Sequence, residues 1–429
     1  MTYQHDNADR NLMGLQNAMR YDDDGEPSLR VSIENVEVNS GLSNTVYNPT
    51  GNLNAGSDAF GRLRVSNPVT LFDATNVGRS SNKFFDQAIG DSSISYSYDT
   101  SSTNLNTSGA GLCYRQSKRR MSYQPGKSFL VLTTFVMTSP QVGVWQTVGL
   151  WDTSNGITFS AEEAELAMSI RNNGSVNRIY QSDWNVDKLD GTGPSGVTLD
   201  VTKAQILFVD IEWLGVGSVR TGFVVNGQFI VAHIFHNANI NGNVYTRTVN
   251  LPVRFQLESS GPSATMQTIC SSVISEGGYE ARATGKVDGT PDISGVSVGT
   301  SWVNLATIRL SDVNAIVVPA GIDILNISNT DFEWGLFVDA IPTSAFTFNP
   351  SSDNVEIATN TVTFSSLGER IYGGYMGGKT APATIGNGAL SWDNQLGVSD
   401  LTTPQTLTLA IRSSSSSKTA AGLLKWFEI

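Results

Sequence analysis

The 429-residue chain is short of charge, of histidine and of cysteine, and it has no long apolar run. Asp, Glu, Lys and Arg make up 15% of it, against about 25% in an average globular domain. Helices draw their exposed faces from Glu, Lys and Arg, so this shortage argues against a helical protein. Of three histidines, two are His233 and His236. Spaced i, i+3 on a strand they point to opposite faces, so histidine-based zinc sites and Ser-His-Asp chemistry are poorly supplied. Two cysteines, Cys113 and Cys270, make no disulfide framework. Each lies in or beside a strand-like run, which predicts two buried free thiols. No apolar stretch approaches the ~20 residues of a membrane span. The opening MTYQHDNADR lacks a basic-then-apolar signal pattern. The expectation is a chain made in a cytoplasm, with no membrane partner.

Net charge is −12, which disfavours a nucleic-acid partner, since neutralising phosphates takes clustered Lys and Arg. The densest basic cluster is Lys118-Arg119-Arg120, with Arg115 just before it. It reads as a strand end pairing with acidic neighbours.

What replaces charge is Ser, Thr, Asn and 41 Gly. That composition suits many short strands joined by turns, and a surface whose burial against a partner costs little. The length exceeds what one core usually serves. The expected architecture is all-β: an N-terminal arm over 1–65, an antiparallel sandwich over 66–280, a linker over 281–292, and a second, smaller β-sandwich over 293–429.

Within the arm, Leu12, Leu15 and Met19 at helical spacing predict a short helix over 6–21, ended by the acidic turn Asp22 to Pro27. Apolar residues then recur at Leu29, Val31, Ile33, Val36 and Val38. This alternation predicts a strand with a bulge at Glu34-Asn35. A strand with no sequential partner needs another sheet, so these five residues are candidates for docking.

In the main domain, strands are expected at 128–138, 145–151, 165–171, 206–213, 219–225, 229–235 and 253–258. Val224-Val225-Asn226-Gly227-Gln228-Phe229-Ile230 is a hairpin signal: two apolar runs around an Asn-Gly turn. The order of these three strands resembles the concanavalin-A/laminin-G-like jelly roll. More specific likeness lies in Asp58-Ala59-Phe60-Gly61-Arg62-Leu63-Arg64-Val65-Ser66, Tyr123-Gln124-Pro125-Gly126-Lys127-Ser128 and Asp183-Trp184-Asn185-Val186-Asp187-Lys188-Leu189-Asp190-Gly191-Thr192-Gly193. Asp210-Ile211-Glu212-Trp213-Leu214-Gly215-Val216-Gly217 and Ile274-Ser275-Glu276-Gly277-Gly278-Tyr279 carry it further. These segments, spanning about 58 to 280, resemble a family of virion structural proteins of marine tailed phages. That likeness implies a virion component without fixing which one.

After residue 292 a second set of strands is expected at 307–310, 315–318, 322–327, 334–338, 361–364, 406–411 and 423–429. The five serines between Arg412 and Lys418 read as a hairpin tip joining the last two.

Three further patterns bear on chemistry. Gly373 to Thr380 satisfies the phosphate-loop spelling G-x-x-x-x-G-K-T, but Ala381-Pro382 cannot open the helix whose amides would hold phosphate. Asp210 and Glu212 share a strand face, as a glycosidase pair would, without the glucanase-type E-x-D-x-E strand. The loop carrying Asp183, Trp184, Asp187 and Asp190 is a candidate to hold an ion through its carboxylates or to stack a sugar on the indole. No internal repeat is present, which argues against a propeller or repetitive fibre shaft.

The sequence therefore predicts a non-enzymatic virion structural protein with no cofactor. It would assemble as a homo-oligomer, with a trimer expected, and dock on other virion proteins. The alternatives are a receptor- or glycan-binding fibre component facing a host surface glycan, or a capsid decoration protein.

Overall fold

A computed structural model describes residues 19–21, 27–29, 67–280, 284–378, 383–385 and 394–429. Met19–Tyr21 and Pro27–Leu29 pair antiparallel, with Met19 opposite Leu29. The helix expected over 6–21 has thus given way to a strand by Met19, and Leu29 has a local partner. Pro27 is compatible with the strand it opens, since proline is tolerated at a strand edge. The candidate docking residues Val31, Ile33, Val36 and Val38 lie outside the described residues.

The fold is all-β, as expected. From Val69 to Ser275 the chain builds one 13-stranded antiparallel sheet. From one edge its order is Ser175–Tyr180, Glu165–Asn172, Gly156–Glu162, Val144–Trp151, Val253–Ser260, Ser102–Ser117, Ala264–Ser275, Phe129–Met137, Gln205–Ile211, Val219–Val225 and Gln228–Phe235. Val69–Thr75 pairs with Ala264–Ser275, and Phe84–Ser97 with Ser102–Ser117.

Strands far apart in that order share one core. Phe159 stacks on Phe135 at 5.8 Å and meets Phe223 edge-on at 5.1 Å. The sheet has therefore curled back on itself into two layers, the jelly-roll arrangement the hairpin suggested. Strand alternation sets the two faces: Val253, Phe255 and Leu257 are at most 1% exposed in the core, so Arg254, Gln256 and Glu258 project outward. The Asn226-Gly227 turn forms as expected. Both residues take left-handed backbone, φ 51° and 77°, and Val225 sits opposite Gln228.

The described residues from 284 onward form two facing sheets and a short two-stranded ladder of Ile341–Pro342 with Phe364–Ser366. One has Thr284–Gly289, Lys418–Glu428, Val317–Asn326 and Ala383–Ile385 in order, with Val296–Val298 also on Lys418–Glu428. The other runs Asn349–Pro350, Val355–Ala358, Val303–Leu310, Thr406–Ser413, Phe332–Val338 and Glu369–Met376. Leu305 and Leu409 from the second meet Leu424 and Trp426 from the first in a common core.

Two expectations are corrected here. The linker expected over 281–292 contains the strand Thr284–Gly289, laid along Lys418–Glu428. Thr406–Ser413 and Lys418–Glu428 belong to different sheets, so the serine segment crosses between layers and is no hairpin tip. Apolar alternation fits either connection; only the packing of both strands into one core decides.

Candidate functional site

The two lobes meet along a fixed seam. Phe85, Tyr114 and Val398 are buried together, with Leu112, Val313 and Leu401 against them. The backbone N–H of Val398 donates to the Lys118 carbonyl at 2.9 Å, and Gln395 Nε2 donates to the Arg120 carbonyl at 2.9 Å. Beside this seam lies a cleft of about 500 Å³, within the range of sites that hold small ligands.

One wall comes from the 13-stranded sheet and its loops: Gln116, Lys118, Arg120, Asp152, Asn155 and Arg254. The opposite wall is uncharged, with Leu310, Val313, Leu396 and Leu401. Arg120 pairs with Asp152 at 3.0 Å, and Asp152 also accepts the amides of Ser154 and Asn155, each at 2.8 Å. That pair shapes the loop after Trp151.

Arg254 is 3% exposed. Its guanidinium donates to Gln116 Oε1 at 3.2 Å and Gln256 Oε1 at 2.7 Å. It lies over Tyr114 at 4.2 Å and Trp151 at 4.8 Å, and Arg171 also lies 4.8 Å from the Trp151 ring. Burial lowers the Arg254 pKa to about 10, against the pull of Tyr114 and Asp152. The group stays charged at neutral pH.

A second recess of about 630 Å³, near Asp331, Glu333, Tyr375 and Arg412, is different in kind. Burial would raise the Glu333 pKa, but Arg370 at 2.8 Å and Arg412 at 2.6 Å outweigh it and leave it below the usual carboxylate value. Its charges are already matched.

The residues singled out from sequence fare unevenly. Trp184 is 3% exposed, with its Nε1 donating to the Ile179 carbonyl at 3.3 Å, so its indole is core and not a sugar platform. Asp187 is buried too, and its two oxygens accept the amides of Leu189 and Ser195 at 2.9 and 2.8 Å. Asp183 and Asp190 are exposed. Asp190 accepts from the hydroxyl and amide of Thr192, which hold its pKa below the usual value. Asp187 and Asp190 thus serve the loop's own backbone, and among the described residues no group of three His, Cys, Asp or Glu is placed to hold a metal ion.

Asp210 is buried against Arg220, and Glu212 accepts the Ser218 amide at 3.3 Å. Each carboxylate is thus engaged by its own neighbour. Gly373 to Met376 belongs to the strand Glu369–Met376, which settles the phosphate-loop spelling; Lys379 and Thr380 lie outside the described residues. Arg115 pairs with Asp86 at 2.6 Å, as Arg120 does with Asp152, in keeping with the structural reading of the basic cluster. Cys113 is buried but Cys270 is exposed, against the expectation for the second thiol.

Sequence reasoning missed Arg254, Trp151 and the wall around Leu396. Alternation in Val253–Ser260 places Arg254 outward, yet nothing local shows that a distant lobe covers it.

No family model matches the chain, and no curated protein matches it. Solved structures with some likeness include the binding domain of botulinum neurotoxin DC in complex with rat synaptotagmin II, 10% identical over 82% of this chain and 98% of that one, TM-score 0.32. A structure titled for endo-acting O-glycanases expressed by human gut microbiota to initiate mucin breakdown is 13% identical, covering 48% and 99%, TM-score 0.34. The carbohydrate recognition domain of Emp47p is 8% identical, covering 48% and 96%, TM-score 0.32. These alignments are shallow, and the site stands on its own geometry.

Proposed function

We propose that this protein is a non-enzymatic binding component of a tailed-phage virion, of the receptor- or glycan-binding fibre type. The observation that carries the reading is the interlobe cleft: a ligand-sized recess held open by a backbone-bonded seam, with charged groups on one wall and an uncharged, mainly apolar wall facing it. Fixed sites of this kind bind without a large ordering cost. The virion setting is supported by the likeness of residues 58–280 to marine phage structural proteins. A low-charge surface and open sheet edges, such as the exposed strand Ser175–Tyr180, suit assembly with copies of itself and with other virion proteins. A trimer docked through Leu29 to Val38 remains the proposed arrangement.

The test uses purified particles and purified protein together. Quantitative mass spectrometry should find the chain in virions, and the intact protein should bind host cells and a subset of a glycan array. Truncating residues 1–40 should leave a folded protein that no longer enters particles. Turnover of a carbohydrate by the purified protein, or virions that lack the chain, would overturn the proposal.

A further inference from the structure

We infer that the interlobe cleft takes an anionic sugar, a unit bearing a carboxylate or a sulfate, with the Arg254 guanidinium as its charge anchor. This rests on the glycan-binding reading above and narrows it to a chemical class.

The buried arginines among the described residues are Arg115, Arg220 and Arg254. Arg115 is paired with Asp86 and Arg220 with Asp210. Arg254 differs: both of its hydrogen-bond acceptors are neutral amide oxygens, and its Nε has no partner. The acid that its charge feels, Asp152, is engaged by Arg120. A buried guanidinium without a carboxylate is costly, and the cost is relieved by a ligand that brings one. Tyr114 and Trp151, over which the guanidinium lies, hold it in place, so little ordering is left to do on binding.

The surroundings fit the same ligand. Lys118, Arg120 and Arg254 against Asp152 make three cations to one acid, a local +2 in a chain of net charge −12. The facing wall contributes no charge. Its half-buried Val313 and Leu401, backed by the core residues Leu310 and Leu396, suit the C–H face of a sugar ring, while Asn155, Asn314 and Ser154 offer partners for ring hydroxyls. A polyphosphate or nucleic acid would use the cations but leave the apolar wall uncovered.

The experiment is titration calorimetry on the intact protein with glucuronic acid, galactose 6-sulfate and galactose, alongside an array of neutral, carboxylated and sulfated glycans. Acidic sugars should bind and galactose should not, with affinity falling as salt rises. Arg254→Lys should weaken binding roughly ten-fold, and Lys118→Ala, at a half-exposed position, roughly three-fold. If Arg254→Lys fails to fold, the Lys118 variant and the salt series decide. Preference for the carboxylate or the sulfate identifies which anion the cleft is built for, and either supports the inference. Binding of neutral glycans alone would overturn it while leaving the glycan-binding reading intact. Acidic glycans bound with no response to either variant would remove the cleft as their site. No glycan binding at all would sink both.

Discussion

The backbone N–H of Asn185 donates to Nδ1 of His233 at 3.3 Å, and the Asn185 side chain clasps Ile234 by donating to its carbonyl and accepting its amide, each at 2.9 Å. The segment after Trp184 is thereby stitched to the edge strand Gln228–Phe235, and the imidazole is used in its neutral form. Burial, with the charge of His236, lowers the His233 pKa to about 4 from an ordinary 6.5. Between those values the unfolded chain takes up a proton that the folded one refuses. Stability should thus be unaffected by this group above pH 6.5 and fall by about 3 kcal/mol as pH drops to 4. Urea unfolding of wild type and His233→Gln at pH 7.5, 5.5 and 4.5 reads the difference. Parallel pH profiles for the two proteins would show that His233 carries none of the slope.

Two glycines near that strand should respond differently to the same methyl. Gly227 has φ 77° in the hairpin turn and nothing within 4 Å of an added Cβ. Gly227→Ala should therefore cost only the backbone strain of a left-handed residue, about 1–2 kcal/mol. At Gly222, beside the bulge at Thr221, a Cβ would lie 2.0 Å from the Ile230 carbonyl oxygen and 2.8 Å from the Phe208 ring. Both contacts lie in packed sheet, so Gly222→Ala should be the worse of the two, at about 3 kcal/mol or more. Chemical denaturation of both variants checks the order, and equal losses would refute the packing argument.

Much of this fold was legible because its central strands alternate. Val253–Ser260 sets Val253, Phe255 and Leu257 against Arg254, Gln256 and Glu258, and the Asn-Gly turn between Val225 and Gln228 has one good backbone solution. Other strands carry no such signal. Phe84–Ser97 and Ser102–Ser117 are rich in Ser, Gly and Asn, and are long because they pair with each other over most of their length. Ser175–Tyr180 is nearly all exposed. Pairing across distance made them strands, and local pattern could not. The candidate site was hidden for a related reason: Trp184 looked like a surface indole in a polar loop, while Arg254 looked like an ordinary outward residue. Tertiary packing exchanged their roles.

The two thiols should separate cleanly under alkylation. Cys270 is exposed on Ala264–Ser275, whereas Cys113 is fully buried and its pKa is pushed up to about 11, chiefly by burial. The thiolate is the reacting species, so Cys113 is protected by both access and protonation. Iodoacetamide at pH 8 should modify only Cys270 in the native protein and both thiols in urea, as read by mass spectrometry of the tryptic peptides. Native labelling of Cys113 at a comparable rate would mean that the strand around it opens far more readily than its packing implies.

The C-terminal lobe should depend on its last strand. Lys418–Glu428 lies between Thr284–Gly289 and Val317–Asn326, so its backbone is paired on both sides. Trp426, 1% exposed, fills the core between the two sheets, and its Nε1 donates to Glu428 Oε1 at 2.9 Å. Removing that ring leaves a void that neighbouring strands cannot close, because each is already fixed by its ladder. Trp426→Ala should then cost about 3–5 kcal/mol, a large share of the roughly 5–15 kcal/mol that holds a typical domain. Tyr375→Ala, at an exposed position of the edge strand Glu369–Met376, should stay within about 0.5 kcal/mol. Limited proteolysis of the tryptophan variant should cut within residues 284–429 first and spare the 13-stranded sheet, whose core contains no residue of that lobe. If both variants unfold at the wild-type denaturant midpoint, the final strand is not what holds the lobe together.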